Sequence, residues 1–316
     1  MESLHYCFVL NPIAGKRRAD VWEKKIKAGM ESSGHPFSIH RTNAPGDAVR
    51  ITKAQAKKKI PVCVIAVGGD GTLNEVINGA AFAKNIIVGV IPAGSGNDFI
   101  RSFENGGQFL SIPALLSGTV HPLDLIRVNG RYAVNLVNIG FDCDVVEQAS
   151  RFHSLRPLCG PIGYFVSVFI VLSRKMGKRM TVTTDAETFQ MDDYLLSTMA
   201  NGRYYGGGFL ASPKSCADDG KMDVALVKKV GRLRFLSLLA SYKNGTYQDR
   251  EALKSLLVLR RVKTLRIRFS ALTGICIDGE ITHATAVSIE TAPRAVRFLM
   301  PNGAVPKDGF LSGEPL

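Results

Sequence analysis

The sequence predicts two joined architectures: an α/β domain built on a parallel sheet over residues 1–125, then a mainly antiparallel β-sandwich or barrel over 126–300. Three observations predict them. Strand-like and helix-like patterns alternate through the first 125 residues, and three glycine-rich turns in that stretch each follow a strand pattern. Beyond residue 125 the texture changes to short strands separated by turn signals. Alternation of the βαβ kind argues a parallel sheet with helices on both faces, and such sheets hold ligands at the carboxyl ends of their strands.

In order, the first part reads as strand Tyr6–Leu10, helix Ala19–Met30, strand Phe37–Arg41, helix Asp47–Lys58, strand Val62–Val67, helix Thr72–Ala81 and strand Ile86–Ile91. The boundary is expected near Pro122 to Leu125. After it come strands Leu125–Val128, Tyr132–Ile139, Met180–Thr184, Phe189–Ala200, Met222–Lys228, Thr264–Phe269, Gly274–Ile277, Ala286–Glu290 and Ala295–Met300, with Asn129-Gly130 as a turn. Helical patterns in this part are limited to Pro161–Leu172 and Leu233–Asn244. The tail, 301–316, is expected to pack back on the first domain.

Composition narrows the function. With 316 residues, 46% of them apolar, the chain can fill two cores. A net charge of +13 attracts polyanions: nucleic acid, an anionic lipid surface or a phosphorylated small molecule. Basic clusters at 16–18, 57–59, 174–179, 228–229 and 260–268 also read as solvated faces. No CxxC or HxxxH pair and no basic stripe interleaved with aromatics is present, so nucleic acid is not an expected partner. Six dispersed cysteines fit a reducing, cytoplasmic location. Met1–Leu10 lacks the features of a signal peptide. The longest apolar segment, Leu158–Leu172, is about 15 residues and falls short of the roughly 20 that span a bilayer.

The chemistry concentrates at the strand-end turns. Val67-Gly68-Gly69-Asp70-Gly71-Thr72-Leu73-Asn74-Glu75 passes from a strand through three glycines into a helix start, which aims backbone N–H groups and the positive helix end at one point. That point suits a phosphate. Asp70 would repel a bare phosphate, so it holds a water or Mg²⁺ beside a nucleotide, or orders the loop through backbone N–H groups. Asn11-Pro12-Ile13-Ala14-Gly15-Lys16 reads as a second phosphate loop or as a plain turn, with Lys16 either a charge for phosphate or a solvated helix-start residue. Pro92-Ala93-Gly94-Ser95-Gly96-Asn97-Asp98 is a third. Parallel topology would bring all three to one edge.

These loops, together with Pro122-Leu123-Asp124, Asn138-Ile139-Gly140-Phe141-Asp142, Asn201-Gly202-Arg203-Tyr204-Tyr205-Gly206-Gly207-Gly208, Ala217-Asp218-Asp219-Gly220 and Asp278-Gly279-Glu280, resemble the diacylglycerol kinase catalytic-domain family. Over roughly residues 5–300 the chain resembles the soluble bacterial lipid kinases of that family, relatives of sphingosine and ceramide kinases. The resemblance implies a Rossmann-like nucleotide domain of the NAD kinase and phosphofructokinase type, with ATP between the domains and acyl chains in the second. By motif, the ATP contacts are Asn11, Gly15, Lys16, Thr42, Gly68, Gly69, Asp70, Gly71, Thr72, Leu73, Asn74 and Ser95.

The same resemblance makes Glu280 the catalytic base, with Asp278 beside it; without the family, Asp278-Gly279 reads as a hairpin turn. Asp70, Asp98 and Asp124 match an acidic network that places Mg²⁺ near the phosphates. Asp98 and Asp124 alternatively cap a helix and brace the domain junction. A second, structural Mg²⁺ would take the Asp219 carboxylate and the carbonyls of Cys216 and Lys221, unless the run is a plain Asp-Asp-Gly turn. Lys221 departs from the apolar residue that many relatives carry. The expected reaction is ATP-dependent phosphorylation of diacylglycerol to phosphatidic acid. Alternatives are a sphingoid-base or undecaprenol-type acceptor, an NAD kinase relative, or a non-catalytic nucleotide- or lipid-sensing module. Peripheral contact with an anionic membrane is expected through Pro161–Leu172 and the basic Arg174, Lys175, Lys178 and Arg179, and homodimerisation is a further expectation.

Overall fold

The computed structural model describes residues 4–15, 19–151, 161–174, 176–313 and 315–316. The first part runs β1 (His5–Leu10), α1 (Ala19–Ser33), β2 (Phe37–Arg41), α2 (Asp47–Ala56), β3 (Val62–Gly68), α3 (Asp70–Ala80) and β4 (Ile86–Pro92). These strands pair in parallel in the order β2-β1-β3-β4. The central strand β3 is buried at all seven positions, as a parallel strand covered on both faces must be. Its side chains divide by parity: Val62, Val64 and Ala66 meet Ala48, Ile51, Leu73, Val76 and Ile77 on one face. Cys63, Ile65 and Val67 meet Ile26, Met30, Ile112 and Leu115 on the other.

After β4 come β5 (Phe103–Glu104), α4 (Ile112–Leu116), β6 (Thr119–Val128), β7 (Arg131–Ala133) and β8 (Leu136–Gly140). The next elements are α5 (Phe141–Ser150), α6 (Pro161–Ser173), β9 (Lys178–Thr184), β10 (Thr188–Ala200), β11 (Tyr204–Tyr205), β12 (Phe209–Leu210) and β13 (Met222–Lys228). The chain closes with α7 (Arg232–Lys243), β14 (Leu257–Val262), β15 (Thr264–Ile277), β16 (Glu280–Met300) and β17 (Val305–Pro306). The fold class is the expected one, a parallel α/β part followed by an antiparallel, β-rich part.

Two long strands build the second part by changing partners along their length. The first half of β10 pairs β9 and its second half pairs β8 and β13, with register shifts between. β15 likewise pairs β9 at Leu265–Phe269 and β8 at Ile275–Ile277, with a shift between Arg268 and Thr273. Bulges of this kind bend a strand from one layer into the next. Ile139, Met180, Val182, Met199, Leu226, Ile267 and Ile275 fill the space enclosed.

The structure departs from the sequence reading in particular places. β15 and β16 are continuous where four shorter strands were expected, because their register shifts keep a single hairpin paired across the irregular stretch. The expected strand Tyr132–Ile139 breaks at Val134-Asn135, where the N–H groups of Val134, Asn135 and Leu136 donate to the Asp278 carboxylate. α5 is a helix in a part that was expected to hold two. The expected boundary lies inside β6, which runs unbroken through Pro122 to Leu125. In the tail, β17 pairs with β5, and Phe310 packs edge-on to Phe99 and Phe103 at 5.9 and 5.4 Å between ring centres.

Candidate active site

Register delivers the three loops to one edge. Leu10 lies opposite Arg41 and Val67, and Gly68 lies opposite Pro92. The chain therefore leaves all four strands at the same level. The sheet order reverses at β1, whose neighbours are β2 and β3; at such a switch point the loops part and leave a crevice. A cleft of about 560 Å³ opens here, lined by Asn11, Gly15, Thr42, Gly69, Asp70, Gly71, Thr72 and Ser95, and by Glu280 from the second part. Lys16 lies outside the described residues.

The loops touch each other. Gly15 has φ +51°, and a Cβ added there would come within 1.7 Å of the Ala93 carbonyl oxygen. Both its backbone conformation and its neighbour demand glycine. Asn11 Nδ2 donates to Thr72 Oγ1 at 3.1 Å, joining the first loop to the second. Within the third loop Asn97 accepts from Gly94 N–H at 3.1 Å and donates to the Gly94 carbonyl at 2.9 Å. Glu75 accepts from the N–H groups of Gly46 and Ala48 at 2.9 and 3.0 Å, which fixes the Thr42–Ala48 wall. Gly15→Ala is therefore expected to weaken ATP binding at least about tenfold while the thermal unfolding signal of the β-rich part moves little, as read by calorimetric titration and circular dichroism.

Asp70 opens α3 and accepts the Phe99 N–H at 3.3 Å through Oδ1. Burial raises its carboxyl above the ordinary range. Asp98 accepts the Gly207 N–H at 2.9 Å through Oδ2. Arg101 Nε stands 3.2 Å from the buried Oδ1 but out of line, so that oxygen has no hydrogen-bond donor. Burial first, and then the charge of Asp70, push Asp98 upward against the Gly207 donor. The Asp70 carboxylate, which lines the cleft, fits a cation that also takes phosphate oxygens, whereas Asp98 is buried behind it, outside the cleft lining and ion-paired with Arg101. Among the described residues no cluster of three or more His, Cys, Asp or Glu could hold a metal unaided.

Other expected members lie elsewhere. Asp124 is fully buried, and its oxygens are committed to the N–H groups of Arg294 (2.7 Å) and Gly220 (2.5 Å); it braces the bulge in β16 and the 217–220 loop instead of facing the cleft. Leu73 is in the apolar core with its N–H bonded to the Gly69 carbonyl. Asn74 points away from the cleft, donating to Asp278 Oδ2 and to the Tyr132 carbonyl at 2.9 Å each. Gly68 allows the start of α3 to close on β3, since a Cβ there would meet Thr72 Oγ1 at 2.3 Å.

Asp278 and Gly279 form the β15–β16 hairpin, both at positive φ (46° and 92°), so the turn reading and the cleft position of the next residue coexist. The Asp278 carboxylate accepts from Asn74 and from the N–H groups of Val134 (2.7 Å), Leu136 (2.8 Å) and Asn135 (3.1 Å). It is a strut between α3 and the hairpin, and all its acceptor capacity is used. Glu280, half exposed, projects to the cleft and is ion-paired with Arg131.

The 213–223 loop does not fit a second Mg²⁺. Asp219 Oδ1 accepts the Lys221 N–H at 3.0 Å, and Oδ2 is ion-paired with Arg261, whose Nε also lies 3.4 Å from Asp223. A guanidinium stands where a cation would need the Asp219 carboxylate. The Cys216 thiol donates to Asp218 at 3.0 Å. Chelation with EDTA is accordingly expected to leave the melting temperature unchanged within about 1 °C, because no metal-binding free energy is linked to folding.

The sequence reading missed Arg131, Glu75, Gly207 and Arg261 as contributors, since each acts through a partner distant in the chain. It also gave no role to Asp142, which lies in a motif it quoted. Asp142 takes hydrogen bonds from Tyr205 and, at 3.0 Å, from Tyr242; burial pushes its carboxyl up to about 6. That network ties α5 to α7 and to the Tyr204–Leu210 hairpin.

Comparison with known proteins gives the family. Residues 5–128 match the diacylglycerol kinase catalytic domain, and 135–300 match the YegS C-terminal NAD kinase beta sandwich-like domain. The chain is 25% identical over 297 residues to a diacylglycerol kinase of Bacillus subtilis, covering 93% of this chain and 95% of the relative. It is 30% identical over 276 residues to a diacylglycerol kinase of Staphylococcus saprophyticus, covering 86% and 87%. A crystal structure of a diacylglycerol kinase from Bacillus anthracis superposes with a TM-score of 0.71 at 21% identity, covering 96% of this chain and 98% of that one. The two family matches together mark a lipid kinase. The chain belongs to the family that carries the diacylglycerol kinase catalytic domain with a YegS-type C-terminal domain.

Proposed function

We propose that the protein transfers the γ-phosphoryl group of ATP to the hydroxyl of diacylglycerol, giving phosphatidic acid and ADP. One observation carries the reading: Glu280, from the second part of the chain, lines the same cleft as the three strand-end loops. The N–H groups around Gly15, Gly69–Gly71 and Ser95 would face the triphosphate. Glu280 takes the proton of the acceptor hydroxyl as its oxygen bonds to the γ-phosphorus; the bond from that phosphorus to the β,γ-bridging oxygen breaks and ADP leaves. Asp70, with Asp98 behind it, would hold Mg²⁺, which would supply charge neutralisation to the triphosphate. Arg131, ion-paired with Glu280, orients its carboxylate.

The acceptor is tested by incubating the protein with Mg²⁺, γ-labelled ATP and a panel of diacylglycerol, sphingoid base, polyprenol and NAD in mixed micelles. Label in phosphatidic acid is expected. Label confined to another lipid would replace the acceptor and keep the mechanism, whereas label in NAD alone, or none despite ATP binding, would overturn the proposal.

A further inference from the structure

Helix α7 is apolar on both sides. Its inner side, Phe235, Leu238 and Tyr242, packs on Leu195, Val230 and Leu253. Its outer side carries Leu233, 85% exposed, Leu236, 45% exposed, and the exposed Ala240, at i, i+3 and i+7. A helix that packs with one face does not normally leave a second apolar stripe in water. Arg232 donates to the carbonyls of Leu172 (2.6 Å), Arg174 (3.2 Å) and Ser173 (3.3 Å), which fastens the start of α7 to the end of α6. One turn earlier on α6, Phe169 is 69% exposed.

Charge accompanies the stripe. Between Asp223 and Asp249 the chain carries Lys228, Lys229, Arg232, Arg234 and Lys243 and no acidic residue. Lys228 pairs with Asp192 at 2.9 Å, while Arg174, Arg234 and Lys243 stand exposed around the two helices. We infer that the outer face of α7, with Phe169 of α6, docks on the surface of an anionic bilayer. Charge complementarity selects that occupant: exposed leucines among cations match acyl chains beneath anionic headgroups. A second copy pairing through the same face would set cations against cations. The sequence reading placed membrane contact on Pro161–Leu172; the exposed side chains shift its centre to α7. The purpose of the contact rests on the lipid-kinase reading, but the binding does not.

The test is co-sedimentation with phosphatidylglycerol–phosphatidylcholine vesicles, without ATP or diacylglycerol, for the unaltered protein and for the double variant Leu233→Glu/Leu236→Glu. The unaltered protein is expected to bind and to release as salt rises, and the variant to bind at least about tenfold more weakly. Circular dichroism shows whether the variant is folded, and Arg234→Gln/Lys243→Gln, which leaves the leucines in place, is expected to lose the salt-sensitive part. On a water-soluble short-chain diacylglycerol the leucine variant should match the unaltered protein. Undiminished vesicle binding by both variants would overturn the inference. So would light scattering that shows a dimer separated by the leucine changes, since the face would then join two copies. A protein without kinase activity that still binds vesicles through α7 would sink the catalytic reading and leave this one standing.

Discussion

Glu280→Gln is expected to lower kcat for lipid phosphorylation by about 10²–10⁴-fold, the contribution of the proposed general base, and to leave ATP affinity within about twofold. Gln retains the size of the side chain and an oxygen that accepts from Arg131, so the hairpin keeps its place. What it loses is the capacity to take a proton. The strand-end loops follow β1, β3 and β4, and among the described residues the Glu280 carboxylate bonds to Arg131 and not to these loops, so binding and turnover are expected to separate in this variant. Initial rates over a range of ATP and diacylglycerol, with calorimetric ATP titration beside them, read both quantities. A variant with normal kcat, or one that fails to bind ATP, would contradict the assignment.

Asp278→Ala is expected to destabilise the protein by about 3–5 kcal/mol and to lower its melting temperature by about 6–15 °C. Removing the carboxylate strands four donors: Asn74 Nδ2 and the N–H groups of Val134, Asn135 and Leu136. Part of the effect belongs to the backbone, because residue 278 sits at φ 46°, where Ala is disfavoured. Asp278→Asn separates the contributions, since Asn tolerates that conformation but turns an amide toward the donors. The Asn variant should lose a smaller part of the stability, and kcat should fall in both, because the strut sets the distance between α3 and the hairpin that carries Glu280. Thermal melts and initial rates on both variants decide. Unchanged melting in the Ala variant would show that the four donors find other partners.

Much of this was legible in the sequence because it is local. The strands of the parallel sheet are continuous apolar runs, and a glycine-rich turn after each of three of them can lie only at the carboxyl edge. The loops that hold Asn11, Gly15, Gly69 and Ser95 were found for that reason, while the choice of those residues came from the family resemblance. What stayed hidden depends on contacts far apart in the chain. Asp124 occupies a motif position yet is spent on Arg294 and Gly220, 170 and 96 residues away. Asp278 sits beside Glu280 in sequence, but its bonds run to α3 and to the gap between β7 and β8. No local pattern announces that Arg261, on a strand the sequence reading did not recognise, takes the Asp219 carboxylate. The helix α5 was passed over because Phe141–Ser150 continues directly from a strand without a side-chain cap.

The most direct test of the central claim, that the strand-end loops and Glu280 act on one bound ATP, is single-turnover transfer of γ-label from prebound ATP to diacylglycerol by the unaltered protein and by Glu280→Gln. The account predicts labelled phosphatidic acid from the first, and transfer at least about 100-fold slower from the second at equal ATP occupancy. Equal transfer rates, or label that never reaches a lipid while ATP stays bound, would contradict it.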